Sequence, residues 1–260
     1  MQSSCFTGAI PRIEAKREQL RIASEVDEIE SVMLNLRHAR LLEQRGVDLA
    51  EVDARVILTS TMDDERCEEW FPERELRLAE RVDADAVVPF DRPVYNTDHR
   101  SKRLETIRVY VADLKEFAPQ FREAGIDVIP LVKGTTSYER GLCYEVFNEL
   151  DWTQIAFYCV QYFSYGYRYQ ALLARVHRIA AEYDPDDMML IGFQSENKLS
   201  DFPPSVTGAA GQRWRRKIDP RDSSLSVATH RYRKWSAELN SALSISQQPL
   251  SAFGSMKGWA

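Results

Sequence analysis

No apolar run in this chain of 260 residues approaches the roughly 18 to 20 residues of a membrane span. Charges interrupt every hydrophobic segment. The first residues, MQSSCFTGAIPRIEAKRE, lack a basic start followed by an apolar core, so no secretory signal is read there. A soluble cytoplasmic protein with no membrane partner is expected. Cysteine is scarce: Cys5, Cys67, Cys143 and Cys159 lie far apart and never approach C-x-x-C spacing. That excludes a local zinc cluster and argues against a disulfide framework. Cys159, inside the apolar run IAFYCV, reads as a buried thiol. The four histidines (His38, His99, His177, His230) are equally dispersed, so no metal site is expected. Glycine and proline, at 11 each, are too few for a collagen-like or linker-like chain. No G-x-G-x-x-G follows a candidate first strand and no Walker loop is present, so no cofactor is expected.

What is present is a sizeable apolar complement, 44% of residues, with 28% charged, enough to bury a substantial core. The formal charge is −6 but unevenly spread. Residues 213–235 carry eight Lys and Arg against two Asp, a net +6, and the tail after them is balanced, leaving −12 on residues 1–212. A basic stripe at one end of an acidic chain suggests a polyanion contact, with Trp214, Tyr232 and Trp235 interleaved, although a solvated helix face has the same composition. Arginine outnumbers lysine 26 to 8, which suits planar phosphate recognition or follows genome composition.

Short apolar runs alternate with helical patterns along the chain. Residues 31–36, 54–60, 85–90, 127–132, 153–160 and 188–194 read as buried strands, rich in β-branched and aliphatic residues. A seventh is placed at 203–211. Helical spacing fills 67–82, 103–125 and 167–184, the last two stopping at Gly125 and at Asp184-Pro185. Such alternation predicts β-α units and a parallel sheet. With no dinucleotide fingerprint and a length near 250 residues, a TIM (β/α)8-type barrel is favoured over a doubly wound sheet, with room for one irregular or missing strand. The barrel is placed at 1–219, followed by a basic, helical C-terminal extension and tail at 220–260.

In a barrel, chemistry gathers where strands end. The residues just past the strands are Asp91, Arg92 and Asn96; then Lys133-Gly134-Thr135-Thr136; then Gln161; then Gln194, Ser195 and Glu196. Asp91, directly after AVVPF, reads either as a mouth carboxylate that accepts hydrogen bonds or titrates, or as a turn-initiating Asp before Arg92-Pro93. Lys133, Gly134, Gln161 and Gln194 are candidate substrate contacts sharing one pocket with Asp91. The glycines of 133–136 and of Gly208-Ala-Ala-Gly211 are weak phosphate-cradle signals. Arg213, Trp214, Arg215 and Arg216 are the candidate nucleic-acid contacts, with Trp214 stacking on a base or packing against a helix.

This ordered set of strand ends resembles the tRNA-guanine transglycosylase superfamily, most closely its branch that inserts 7-deazaguanines into DNA in phages and prokaryotes. The resemblance spans about residues 30 to 216, through VMLNLRHARLL, AVVPFDRPVY, DVIPLVKGTTSYERGLCYEVFNEL, IAFYCVQYF and MMLIGFQSENKLSDFPPSV. It implies a TIM barrel that exchanges guanine for a deazaguanine in DNA or tRNA, using a nucleophilic carboxylate and a second acid/base carboxylate. Asp91 matches the base-recognising aspartate. The family's Asp-Ser-Gly is replaced by Thr59-Ser60-Thr61, and its nucleophilic aspartate by Ser205-Val206-Thr207-Gly208; no Asp or Glu lies between Phe202 and Ile218. The tRNA enzymes' zinc cysteines are missing. Glu196 is the nearest substitute carboxylate. Three readings follow: a transglycosylase-like enzyme, a non-catalytic nucleic-acid-binding relative or partner subunit, and an unrelated barrel hydrolase using Asp91 and Glu196 as a pair. Homo- or hetero-oligomers fit any of them.

Overall fold

The computed structural model describes residues 6–49, 52–62, 70–163, 166, 168–221 and 224–246. The strands are β1 (Gly8–Ile13), β2 (Ser31–Asn35), β3 (Arg55–Thr59), β4 (Ala86–Val88), β5 (Asp127–Val128), β6 (Gln154–Tyr158), β7 (Asp187–Ile191) and β8 (Val206–Gly211). Helices α1 (Arg17–Glu25), α2 (Leu36–Gln44), α3 (Pro72–Arg81), α4 (Arg100–Glu123), α5 (Ser137–Glu149) and α6 (Tyr169–Tyr183) connect them. Two more, α7 (Trp214–Ile218) and α8 (Leu225–Ser246), follow β8.

All eight strands are parallel and form one curled sheet in the order β5-β4-β3-β2-β1-β8-β7-β6, consistent with a TIM-like barrel. The two ends of that order also touch. Leu131 bridges Ala156 in parallel, the Val132 N–H donates to Ala156 O at 2.9 Å, and the Ala156 N–H donates to Pro130 O at 2.8 Å. The parallel strands expected at 54–60, 85–90, 127–132, 153–160 and 188–194 are all present, some shortened. Two of the short ones have local causes. Pro89 carries no N–H to donate, so β4 stops at Val88, and past β5 the Leu131 N–H that would continue toward β4 donates instead to Tyr110 Oη at 2.7 Å. The strand not foreseen is β1, whose GAIPRI sequence is broken by glycine, proline and arginine.

The helices stop for local reasons. Gly125 adopts φ +79° just beyond α4, and Asp184 caps α6 in the left-handed region at φ +52°. Helix α3 starts with Pro72 at its first turn, later than the expected 67; residues 67–69 lie outside those described. Helix α8 buries Tyr232, Trp235 and Leu239 on the outer side of the sheet next to β1 and β8. Its Asn240 Oδ1 accepts the Ala9 N–H at 2.9 Å, tying the C-terminal helix to the first strand. Cys143 and Cys159 are free and buried, and Cys5 and Cys67 lie outside the described residues. Among the described residues no helix is long and apolar enough to cross a membrane.

Candidate functional site

The strand ends open onto two adjoining depressions. The smaller, about 230 Å³, lies beyond β4, β5 and β6 and is lined by Asp91, Lys133, Gly134, Gln161, Phe157 and Arg175, among others. The larger, about 1440 Å³, lies beyond β1, β2, β7 and β8. Met62, Tyr158 and Val160 line both, so the two share a wall.

Asp91 is aimed by the turn before it. Phe90, just past the buried β4, sits at φ +55°, a conformation that costs a bulky residue free energy. Three groups hold it there. Its N–H donates to Glu75 Oε2 at 3.1 Å, and its ring packs on Phe117 and Phe121 with centroids 6.1 and 6.0 Å away. The next N–H, of Asp91, donates to Ser60 Oγ at 2.7 Å, and Ser60 in turn donates both N–H and O–H to Val88 O. Asp91 thus points at Lys133, whose Nζ lies 2.5 Å from Asp91 Oδ1 and 2.9 Å from Arg92 O. Both side chains are nearly enclosed, at 8% and 7% exposure. The second Asp91 oxygen and the third Lys133 proton have no hydrogen-bond partner among the described residues. The pair therefore offers the pocket an acceptor and a donor side by side.

The other expected contacts divide. Gln161 and Gly134 line the small pocket with Asp91 and Lys133. Gln194 does not; it lines the larger cleft and is 4% exposed. Its amide donates to Ile10 O and Ala209 O at 3.0 Å and accepts the Arg213 N–H at 3.2 Å, so it braces three backbone segments. Gly211 leaves space for it, since a Cβ there would lie 3.0 Å from Gln194 Oε1. The Gly208–Gly211 stretch is strand β8, which accounts for its small residues by packing.

The 133–136 loop is also not an open phosphate cradle. Its Thr135 and Thr136 N–H groups both donate to the Glu139 carboxylate, at 2.7 and 3.1 Å. Glu139 completes a capping box with Thr136 and is gripped by Arg103 at 2.9 Å. Burial opposes its ionisation, yet Arg103 and the Thr135 and Thr136 donors hold its carboxyl down to about 2. An internal anion already fills that loop. Gly134, at φ +113°, is required there because a Cβ would meet Glu139 Cβ at 2.7 Å.

Glu196 lies outside both depressions. It is paired with Lys217 at 2.5 Å and with Arg213 at 3.0 Å, and these cations keep its carboxyl low despite burial. Asp91 and Glu196 therefore share no cavity. Trp214 is fully buried, its Nε1–H donating to Arg12 O at 3.1 Å, so its ring has no face for an unpaired base. Trp214 and Ile218, four apart and both buried, form the inner face of α7. That i, i+4 pair was a readable packing signal within the basic run.

The first part of the basic segment, Arg213 to Arg221, reaches the mouth, with partners that sequence reasoning missed, whereas Arg233 on α8 pairs with Glu28 away from it. Arg213, Arg215 and Arg216 line the larger cleft together with Arg12 and Arg37; counting every lining side chain, eight cations face three carboxylates. Several are already paired: Arg215 with Glu14 at 2.9 Å, Lys16 also with Glu14, and Arg213 with Glu196. Arg37 and Arg216 are exposed and have no carboxylate partner among the described residues. They lie at opposite ends of the chain, so only the fold joins them. No group of three or more potential metal ligands is found among the described residues.

Compared with known protein families and with curated proteins, the chain matches none.

Proposed function

We propose that the chain is a transglycosylase-like (β/α)8 barrel whose mouth binds a guanine-type base of a nucleic acid, with the base in the small pocket and its phosphates in the cationic cleft. The hydrogen bonds between residues 130–132 and Ala156 support closure of the sheet into the barrel. The observation that carries the ligand reading is the wall of Met62, Tyr158 and Val160 common to both depressions. It sets a pocket below drug-ligand size directly beside a cleft rich in arginine. One base and its attached phosphates form a single ligand of that shape and charge.

The pair Asp91–Lys133 supports a heterocycle over a simple anion. A carboxylate oxygen accepts an N–H while the neighbouring ammonium donates to a carbonyl, the pattern on the N1–H/O6 edge of guanine or a 7-deazaguanine. Phe157, Tyr158 and Tyr162 supply aromatic and apolar wall for the ring. Base exchange through two carboxylates has less support. Among the described residues Asp91 is the one carboxylate lining the small pocket, and Glu196 is occupied elsewhere. Binding without exchange, as by a non-catalytic relative, is the part of the family's chemistry that the geometry favours.

The test is calorimetric titration of guanosine 5′-monophosphate, adenosine 5′-monophosphate and ribose 5-phosphate. The wild-type protein is expected to bind the guanine nucleotide at least tenfold more tightly than the sugar phosphate. Asp91→Asn is expected to remove most of that difference. Equal binding of all three ligands would leave only a phosphate site and defeat the proposal.

A further inference from the structure

We propose that Glu75, a buried residue of helix α3 outside both depressions, is a positioning residue that sets the aim of Asp91 through the backbone of Phe90. The inference rests on Asp91 being the base-reading group. Glu75 is 3% exposed and lies on the inner face of α3 with Pro72, Leu78 and Ala79. A carboxyl in such surroundings carries a desolvation cost that no ion pair among the described residues offsets. A leucine or methionine would satisfy the packing. What only a hydrogen-bond acceptor supplies is a partner for the Phe90 N–H, 3.1 Å away.

That N–H belongs to the one residue of the β4 exit with a left-handed backbone, φ +55°. A left-handed backbone is costly for a bulky residue such as phenylalanine and persists only where its surroundings hold it. Relaxing Phe90 toward negative φ would swing the following peptide and carry Asp91 away from Lys133. Ser60 holds the same turn from the other side, through the Asp91 N–H at 2.7 Å. Glu75 and Ser60 thus act as two arms of one clamp, on successive N–H groups. Burial pushes the Glu75 carboxyl up to about 8, against the opposing pull of the Phe90 N–H. The charged groups that act on it are Asp91, Arg92 and Asp113. The shift favours the protonated form near neutral pH, in which Glu75 fixes Phe90 without adding a second negative charge beside Asp91.

Glu75→Gln keeps an acceptor of the same length, whereas Glu75→Leu removes it. Ser60→Ala releases the other arm with a minimal change in volume and covers the case that Glu75→Leu does not fold. The first readout needs no ligand: the ¹⁵N NMR signal of the Lys133 ammonium, sheltered from exchange by its bonds to Asp91 and Arg92. It should persist in wild type and Glu75→Gln, and shift or broaden away in Glu75→Leu and Ser60→Ala while circular dichroism stays native. The second readout is affinity for guanosine 5′-monophosphate, expected to fall at least tenfold in the same two variants and to be kept by Glu75→Gln. A wild-type Lys133 signal in folded Glu75→Leu or in Ser60→Ala overturns the clamp. Failure of the wild-type protein to bind the nucleotide would count against the base-reading role alone, since the NMR comparison still decides the positioning.

Discussion

Lys133 Nζ approaches Asp91 Oδ1 to 2.5 Å at the mouth of the sheet, joining the exits of β4 and β5 with both side chains nearly enclosed. Two charges so placed depend on each other. Lys133→Met should destabilise the fold by about 3 kcal/mol, because Asp91 is left as an unpaired buried carboxylate. Adding Asp91→Asn to it should recover part of that loss. Denaturant unfolding of the two single variants and the double variant measures the coupling, and strict additivity would contradict it.

Glu75 makes stability depend on pH with a defined sign. Its carboxyl is raised from 4.5 to about 8 by burial, so between those values the native state holds a proton that the unfolded chain has released. Its favourable contribution is complete below the unfolded value and is lost as pH rises toward 8. Glu75→Gln, which does not titrate, should therefore gain stability relative to wild type with rising pH, by at most about 1.4 kcal/mol per unit in that window. Glu139 and Glu182, both held down to about 2 against burial, act in the opposite sense. Their contributions fade as pH falls below the ordinary carboxylate range, and they cancel when variant and wild type are compared at each pH. A stability difference that stays constant from mildly acidic pH up to about 8 would rule out a protonated Glu75.

The cationic cleft predicts a division among its arginines. Arg37→Ala with Arg216→Ala should weaken binding of single-stranded nucleic acid and flatten its salt dependence, the slope changing by roughly one for each phosphate no longer neutralised. Arg213→Ala with Arg215→Ala should change that slope less, because Glu196 and Glu14 already neutralise those side chains. Fluorescence titration at several salt concentrations gives both slopes. A larger change from the second pair would mean that the ion pairs open on binding.

The strands legible in the sequence were those with unbroken apolar runs, such as 54–60 and 188–194, since a parallel sheet covered on both faces needs no alternation. Strand β1 was hidden by Gly8, Pro11 and Arg12, which mark a turn in isolation and become a strand only between β2 and β8. Asp91, Lys133, Gly134 and Gln161 followed from their places just past strands. Gln194 sat at an equally good position, but nothing local distinguished a side chain that braces backbone from one that faces a ligand. Glu75 reads as one more surface charge in PERELRLAER, although its spacing from Pro72 and Leu78 puts it on the buried face. The cleft was least legible. Its charge depends on how Glu14 and Glu18, near the start of the chain, meet Arg215 and Arg221, near its other end.

If a single ligand spans the shared wall, amide chemical-shift mapping during a titration with guanosine 5′-monophosphate will register it on both sides at once. Lys133 and Gln161 in the small pocket, Tyr158 and Val160 on the wall, and Arg37 and Arg216 in the cleft should all shift along one binding curve. Ribose 5-phosphate should move the cleft residues alone. Shifts confined to one depression, or two curves with different midpoints, would contradict a ligand shared between pocket and cleft.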